Sequence, residues 1–113
     1  MLVTQTQAVV ITPSAACTLW DFAFPSTQLG LAHSVIHGRY PETGRVVNRT
    51  CDKAYFVISG RARIHYELGE FEIREGDAFL FEHGRWHWLE ADHLHAVVVH
   101  APPWNAEQHS IVP

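Results

Sequence analysis

Short apolar runs, broken every few residues by glycine, proline or an acidic turn, recur along the chain. No long segment carries apolar residues at the helical spacing of i, i+3, i+4 and i+7, so helices contribute little. Runs rich in β-branched and aromatic residues predict an all-β sheet that closes or doubles over, since an open sheet leaves exposed edges. The pattern places strands over residues 2–11, ended by Thr12-Pro13, and over 18–24, ended by Pro25-Ser26. A third covers 31–37 and stops at Gly38, and Arg45–Asn48 follows Gly44. Residues 54–59 (AYFVIS) end at Gly60, and 61–67 alternate polar with apolar positions. Leu68-Gly69 turns the chain into 70–74, Glu75-Gly76 into 77–81, and His83-Gly84 into 85–89. Ala91-Asp92 leads into 94–100, and Pro102-Pro103 ends the sheet ahead of a tail where Asn105 and Glu107 mark a short helix.

Composition narrows the class. A chain of 113 residues fits one domain with one modest core. With 47% hydrophobic and 18% charged residues it reads as globular. A net charge of −4 without a basic block argues against nucleic acid as a partner. No apolar run approaches the roughly 18 residues of a membrane helix, and the N-terminal MLVTQTQAVVITPSAA lacks the basic and apolar regions of a secretory leader. Cys17 and Cys51 have no C-x-x-C spacing, and both are expected reduced in a soluble, cytoplasmic protein. The nine histidines direct attention to metal or acid–base chemistry.

One spacing is more specific. Gly76, five residues, Glu82, one residue, Gly84, two residues and His87 resemble the second motif of the cupin family, with Glu82 where that motif has proline and Ala91 where it has asparagine. The stretch 53-KAYFVISGRARI-64 resembles the strand–Gly–strand core of the first cupin motif. Counting back from Gly60 puts the motif's glutamate on Lys53 and its paired histidines on Val46 and Asn48, or on Val47 and Arg49. The segments Pro41-Glu42-Thr43-Gly44 and Pro102-Pro103-Trp104 also resemble parts of small one-domain cupins. The resemblance implies a cupin-type antiparallel β-barrel (double-stranded β-helix or jelly roll) as a single domain. Its core spans about residues 31–101, with the N-terminal strands and the tail packed on it. It also implies an interior ligand pocket and a homodimer.

Alternation along a strand points His87, Arg85 and Leu89 inward and Trp86 and Trp88 outward, where the tryptophans need cover from a second sheet or a second copy. Lys53 at the family's acidic position opposes a divalent cation and suits an anionic ligand or a base of depressed pKa. One of Asn48 and Arg49 faces inward beside it, and Tyr55 shares its face. The alternatives for each are a surface position or plain core packing. His93 and His95, spaced as His-x-His, carry a metal-ligand pattern, with one of them lining the pocket. His65, His83, His100 and His109 read as surface or loop residues. The charges of 61–74 read as cross-strand ion pairs, and Trp104 as an anchor for the tail.

Three functions fit. The first is a binding module that holds a small, anionic organic molecule through Lys53, Asn48 or Arg49, Tyr55 and His87, without the standard metal site or any cofactor. The second is an enzyme, either an isomerase or cyclase working by acid–base chemistry between His87 and Lys53, or a lyase or dioxygenase with a metal on His87, His95 and Asn48. The third is a structural or partner-binding domain presenting Trp86, Trp88 and the Pro102-Pro103-Trp104 tail.

Overall fold

In the computed structural model, which describes residues 1–113, nine antiparallel strands carry almost all of the regular structure. They are β1 (Val9–Ser14), β2 (Cys17–Asp21), β3 (Gly30–Tyr40), β4 (Arg45–Asn48) and β5 (Asp52–Tyr66). β6 (Gly69–Arg74), β7 (Ala78–Phe81), β8 (Trp86–Ala101) and β9 (His109–Val112) complete the set. The sheet runs β1-β2-β3-β8-β4-β9, and β5 joins it by pairing with β6, β7 and β8. The 15-residue β5 and the 16-residue β8 run antiparallel over almost their whole lengths. The sheet curls around this pair into the half-barrel expected of an all-β cupin-type chain. One apolar cluster fills its inner face, including Ile36, Val57, Ile64, Phe81, Leu89, Leu94 and Val98.

The long strands merge pieces that the sequence pattern separates. Gly60 (φ 79°) is a bulge inside β5 rather than the end of a strand. Ala91-Asp92 likewise lies within β8, and Gly38 (φ 107°) within β3. The buried positions of β8 are His87, Leu89 and Ala91, then Leu94, Ala96 and Val98. Those of β5 are Lys53, Tyr55 and Val57, then Ala62, Ile64 and Tyr66. Each strand therefore exchanges its inward and outward sets at its irregularity, because one extra residue rotates everything beyond it by one position.

The ends of the chain also differ from the pattern. A 3-10 turn occupies Gln5–Gln7, and β1 then runs through Pro13. The proline costs no ladder bond there, because the register skips Thr12 and Pro13 on an edge strand. β2 stops at Asp21, whose carboxylate accepts the Ala23 N–H at 2.9 Å. The hairpin after β5 turns at Glu67-Leu68, since Tyr66 already pairs with Gly69. In the tail, Asn105 caps a 3-10 turn at Ala106–Gln108 by accepting two backbone N–H groups. An unforeseen strand, β9, then pairs along β4.

Candidate functional site

The barrel interior holds one polar cluster, assembled by β4, β5, β8 and the tail. Alternation along β4 buries Val46 and Asn48, and alternation along β5 buries Lys53 and Tyr55. This fixes the register left open by the sequence: the positions of the family's first motif fall on Val46, Asn48 and Lys53. Arg49 lies outside, exposed, with its Nε donating to Ser110 Oγ at 3.1 Å. Arg49 therefore does not line the interior, because it follows the inward-facing Asn48 by one residue.

Lys53 and His87 meet at the centre. Lys53 Nζ lies 2.8 Å from His87 Nε2, and the two residues are 6% and 1% exposed. The ammonium sits 4.8 Å from the Phe81 ring centroid and 5.3 Å from that of Tyr55, so aromatic faces form its wall. No carboxylate pairs with it. Burial holds its pKa down at about 8, against a weaker upward pull from the Cys17 and Cys51 thiols. Burial, and then the Lys53 charge, push His87 well below the ordinary imidazole range. At neutral pH the ammonium thus donates to a neutral imidazole, whose proton resides on Nδ1. That Nδ1 is buried and has no hydrogen-bond partner.

Two further histidines belong to this cluster, although their sequence context suggested the surface. His100 lies directly across the β5–β8 ladder from Lys53, on the inward side of the reversed half of β8. Burial, followed by the Lys53 charge, lowers its pKa to about 3. His109 opens β9; burial and Lys53 lower its pKa as well, and its buried Nδ1 also lacks a partner. Gln108 closes this side. Its Oε1 accepts the backbone N–H of Thr50 and of Cys51, and its Nε2 donates to Asn48 Oδ1 at 3.0 Å. The Asn48 amide oxygen is thereby already engaged within the chain.

His95 does not join the site. The extra residue in β8 turns it to the outer face, where it packs 5.6 Å from His33, which itself stacks on Trp20. His93 is exposed, so the His-x-His pair is not a pocket pair. His65 and His83 are held by surface carboxylates, the former by Glu70 and Glu90 and the latter by Asp52. Trp88 and Trp86 do face outward, but their cover comes from this chain's own side chains. His65 stacks on Trp88 at 3.7 Å and Arg39 lies over the same ring, while Arg45 lies over Trp86. Arg85 reaches Glu67 at 2.9 Å rather than the interior. Glu82 departs from the family's proline for a visible reason: its N–H donates to the Tyr66 hydroxyl at 3.0 Å.

A cleft of about 250 Å³ opens beside the cluster, lined by Pro13, Ser14, Tyr40, Pro41, His109 and Ile111 among others. Tyr40 packs against the core, and burial pushes its pKa up to about 12. Tyr40 and His109 thus belong both to the cleft and to the interior.

Comparison with known proteins adds three findings. Residues 37–101 match the sequence model of the family described as "Cupin domain". No curated protein matches the chain by sequence. Among solved structures, Streptomyces PAC13 aligns at 12% identity over 99% of this chain and 89% of its own, with a TM-score of 0.89, in a complex with uridine. The same protein is described as a unique nucleoside dehydratase. Ectoine synthase from P. lautus aligns at 15% identity over 100% of this chain and 90% of its own, TM-score 0.77. A sugar phosphate isomerase from Silicibacter pomeroyi aligns at 15% over 89% and 75%, TM-score 0.69. At these identities the shared feature is the fold.

Proposed function

The chain belongs to the cupin family, and from that premise we propose that its barrel binds a small, oxygen-rich organic molecule against Lys53 and His87 and moves a proton on it. The observation that carries this reading is the buried Lys53–His87 contact at 2.8 Å, with no carboxylate beside it. An unpaired ammonium in an apolar wall attracts an oxyanion or a polarised carbonyl. The partnerless Nδ1–H of His87 offers a second donor.

The same contact disfavours a divalent metal at this position. The His87 lone pair that would bind the ion is occupied by an ammonium, and the other motif positions are Val46, Asn48 and Lys53. A cation at the motif positions would meet the Lys53 charge beside the one imidazole of His87, and the same charge opposes a cation on the neighbouring His100 and His109. Lys53, with its pKa held at about 8, is instead suited to accept and return a proton near neutral pH. The neutral amine removes a proton from a carbon beside a carbonyl. The electron pair of that C–H bond forms a carbon–carbon double bond, and a hydroxyl on the next carbon leaves as water with the proton that Lys53 returns. Return of the proton to a neighbouring carbon gives an isomerisation. The dehydratase, synthase and isomerase among the structural neighbours support a lyase or isomerase of this kind.

The test combines binding and turnover. Nucleosides, sugar phosphates and small hydroxy acids are screened by thermal shift, and hits are followed by NMR for deuterium uptake from heavy water at the carbon beside the carbonyl. The expected result is a ligand whose exchange rate rises with pH up to about 8 and falls roughly a hundred- to ten-thousand-fold in Lys53→Ala. A ligand-induced shift that persists in both Lys53→Ala and His87→Ala would remove the interior as the binding site. Binding that depends on both residues, with no exchange, would reduce the reading to a binding module.

A further inference from the structure

Three neighbouring strands lose their regularity at one level of the sheet, and His37, Asp92 and His93 project there. On β8, Asp92 and His93 together oppose the single residue His37 of β3, since the register steps from Ile36↔Leu94 to Gly38↔Ala91. On the other side, β5 breaks its register around Gly60. His93 adopts φ 47°, a left-handed backbone that side-chain-bearing residues seldom take. A Cβ on Gly60 would stand 2.0 Å from the His93 carbonyl oxygen, so the kink depends on that glycine.

The kink has a chemical result. Successive residues of a regular strand face opposite ways, yet Asp92 and His93 both point outward, with His93 Nδ1 2.9 Å from Asp92 Oδ1. His37 lies on the same spot. Its Nδ1 is 3.9 Å from that oxygen, and its ring centroid is 4.0 Å from that of His93. One ligand atom from each of the three residues falls within 4.8 Å of the others. The second carboxylate oxygen is held by Arg61 Nε at 3.3 Å. This turns Oδ1 toward the imidazoles as an outer-shell partner does, at the expense of some local positive charge.

We infer that His37, Asp92 and His93 form a binding site for a divalent transition metal of the zinc or nickel type, on the outer surface and separate from the buried Lys53–His87 pair. Two imidazoles and one carboxylate suit such ions, and three protein ligands leave positions for water or an incoming donor. The His93 N–H donates to His37 Nδ1 at 3.2 Å. Loading therefore turns the His37 ring or displaces that bond.

The test is equilibrium dialysis of the untagged full chain against zinc chloride and, separately, nickel chloride, with the bound metal counted by elemental analysis. The expected result is one ion per chain at micromolar concentration. Affinity should fall about tenfold or more in His37→Gln and in Asp92→Asn and stay unchanged in His87→Ala. His93→Asn, which tolerates the left-handed backbone, separates loss of the ligand from loss of the kink and should weaken binding with the fold intact by circular dichroism. Absence of stoichiometric binding, retention of affinity in His37→Gln and Asp92→Asn, or loss of it in His87→Ala would each overturn the assignment.

Discussion

Lys53 shows how much one side chain decides here. Its burial depresses the pKa from 10.5 to about 8, so the folded chain releases this proton before the unfolded chain does. Between those values the unfolded state binds more protons, and the contribution of Lys53 to stability rises with pH. Cys17, pushed up to about 11, and Tyr40, at about 12, act in the opposite direction. The informative comparison is therefore with Lys53→Met, which keeps both. The stability of the methionine variant relative to the parent should decline by on the order of 2 kcal/mol from about pH 7 to about pH 10, read from paired urea titrations. A constant difference would mean that the amine is hydrated in the native state. The motif spacing made Lys53 and His87 legible by counting from a glycine, and alternation added Tyr55, but counting left Asn48 and Arg49 as alternatives. Sequence context put His100 on the surface, because the apolar run 96–99 gives no hint of which face is which. Gln108 and His109 reach the site only because the tail folds back onto β4, a pairing that no local pattern encodes.

At the level of the strands, Gly60 carries the most structure per atom. A glycine after an apolar run reads as a turn, since a positive φ serves a turn and a bulge equally. Only the neighbouring strand distinguishes them, and here that neighbour is the kinked His93 carbonyl. The same ambiguity applies at Gly38, through which β3 continues, whereas 85–89 and 94–100 join into β8 at a kink where His93 rather than a glycine takes the positive φ. Gly60→Ala should therefore lower stability by on the order of 3 kcal/mol, from the strained φ and the close carbonyl together. Urea unfolding of the variant measures it. A loss below a few tenths of a kcal/mol, with an unchanged denaturant slope, would show that β5 and β8 can part at this level without cost.

The whole molecule separates two kinds of chemistry across one sheet. Inside, a lone ammonium and three imidazoles share a space from which carboxylates are missing. Outside, carboxylates hold most of the exposed cations together with His65, His83 and His93, while His33 and His95 pack on each other beside Trp20. Dialysis against a chelator should accordingly leave proton exchange on a bound substrate unchanged, even while it strips an ion from His37, Asp92 and His93. Loss of exchange that returns on adding zinc would relocate the interior chemistry onto a metal. Turn spacing alone made legible an all-β sheet that closes or doubles over, and the resemblance to cupins narrowed it to a barrel, whereas the wrapping around one long β5–β8 pair was in neither, since that depends on contacts far apart in sequence.

The row of irregularities through His37, Gly60 and Asp92-His93 also acts as a mirror line for the barrel. On one side of it the odd-numbered positions of β8 look in, and on the other the even-numbered ones do. Removing one residue from that row would not shorten the strand in any simple sense. It would turn one end of the strand inside out, presenting either the imidazole of His87 or the leucine and valine of the far half to water.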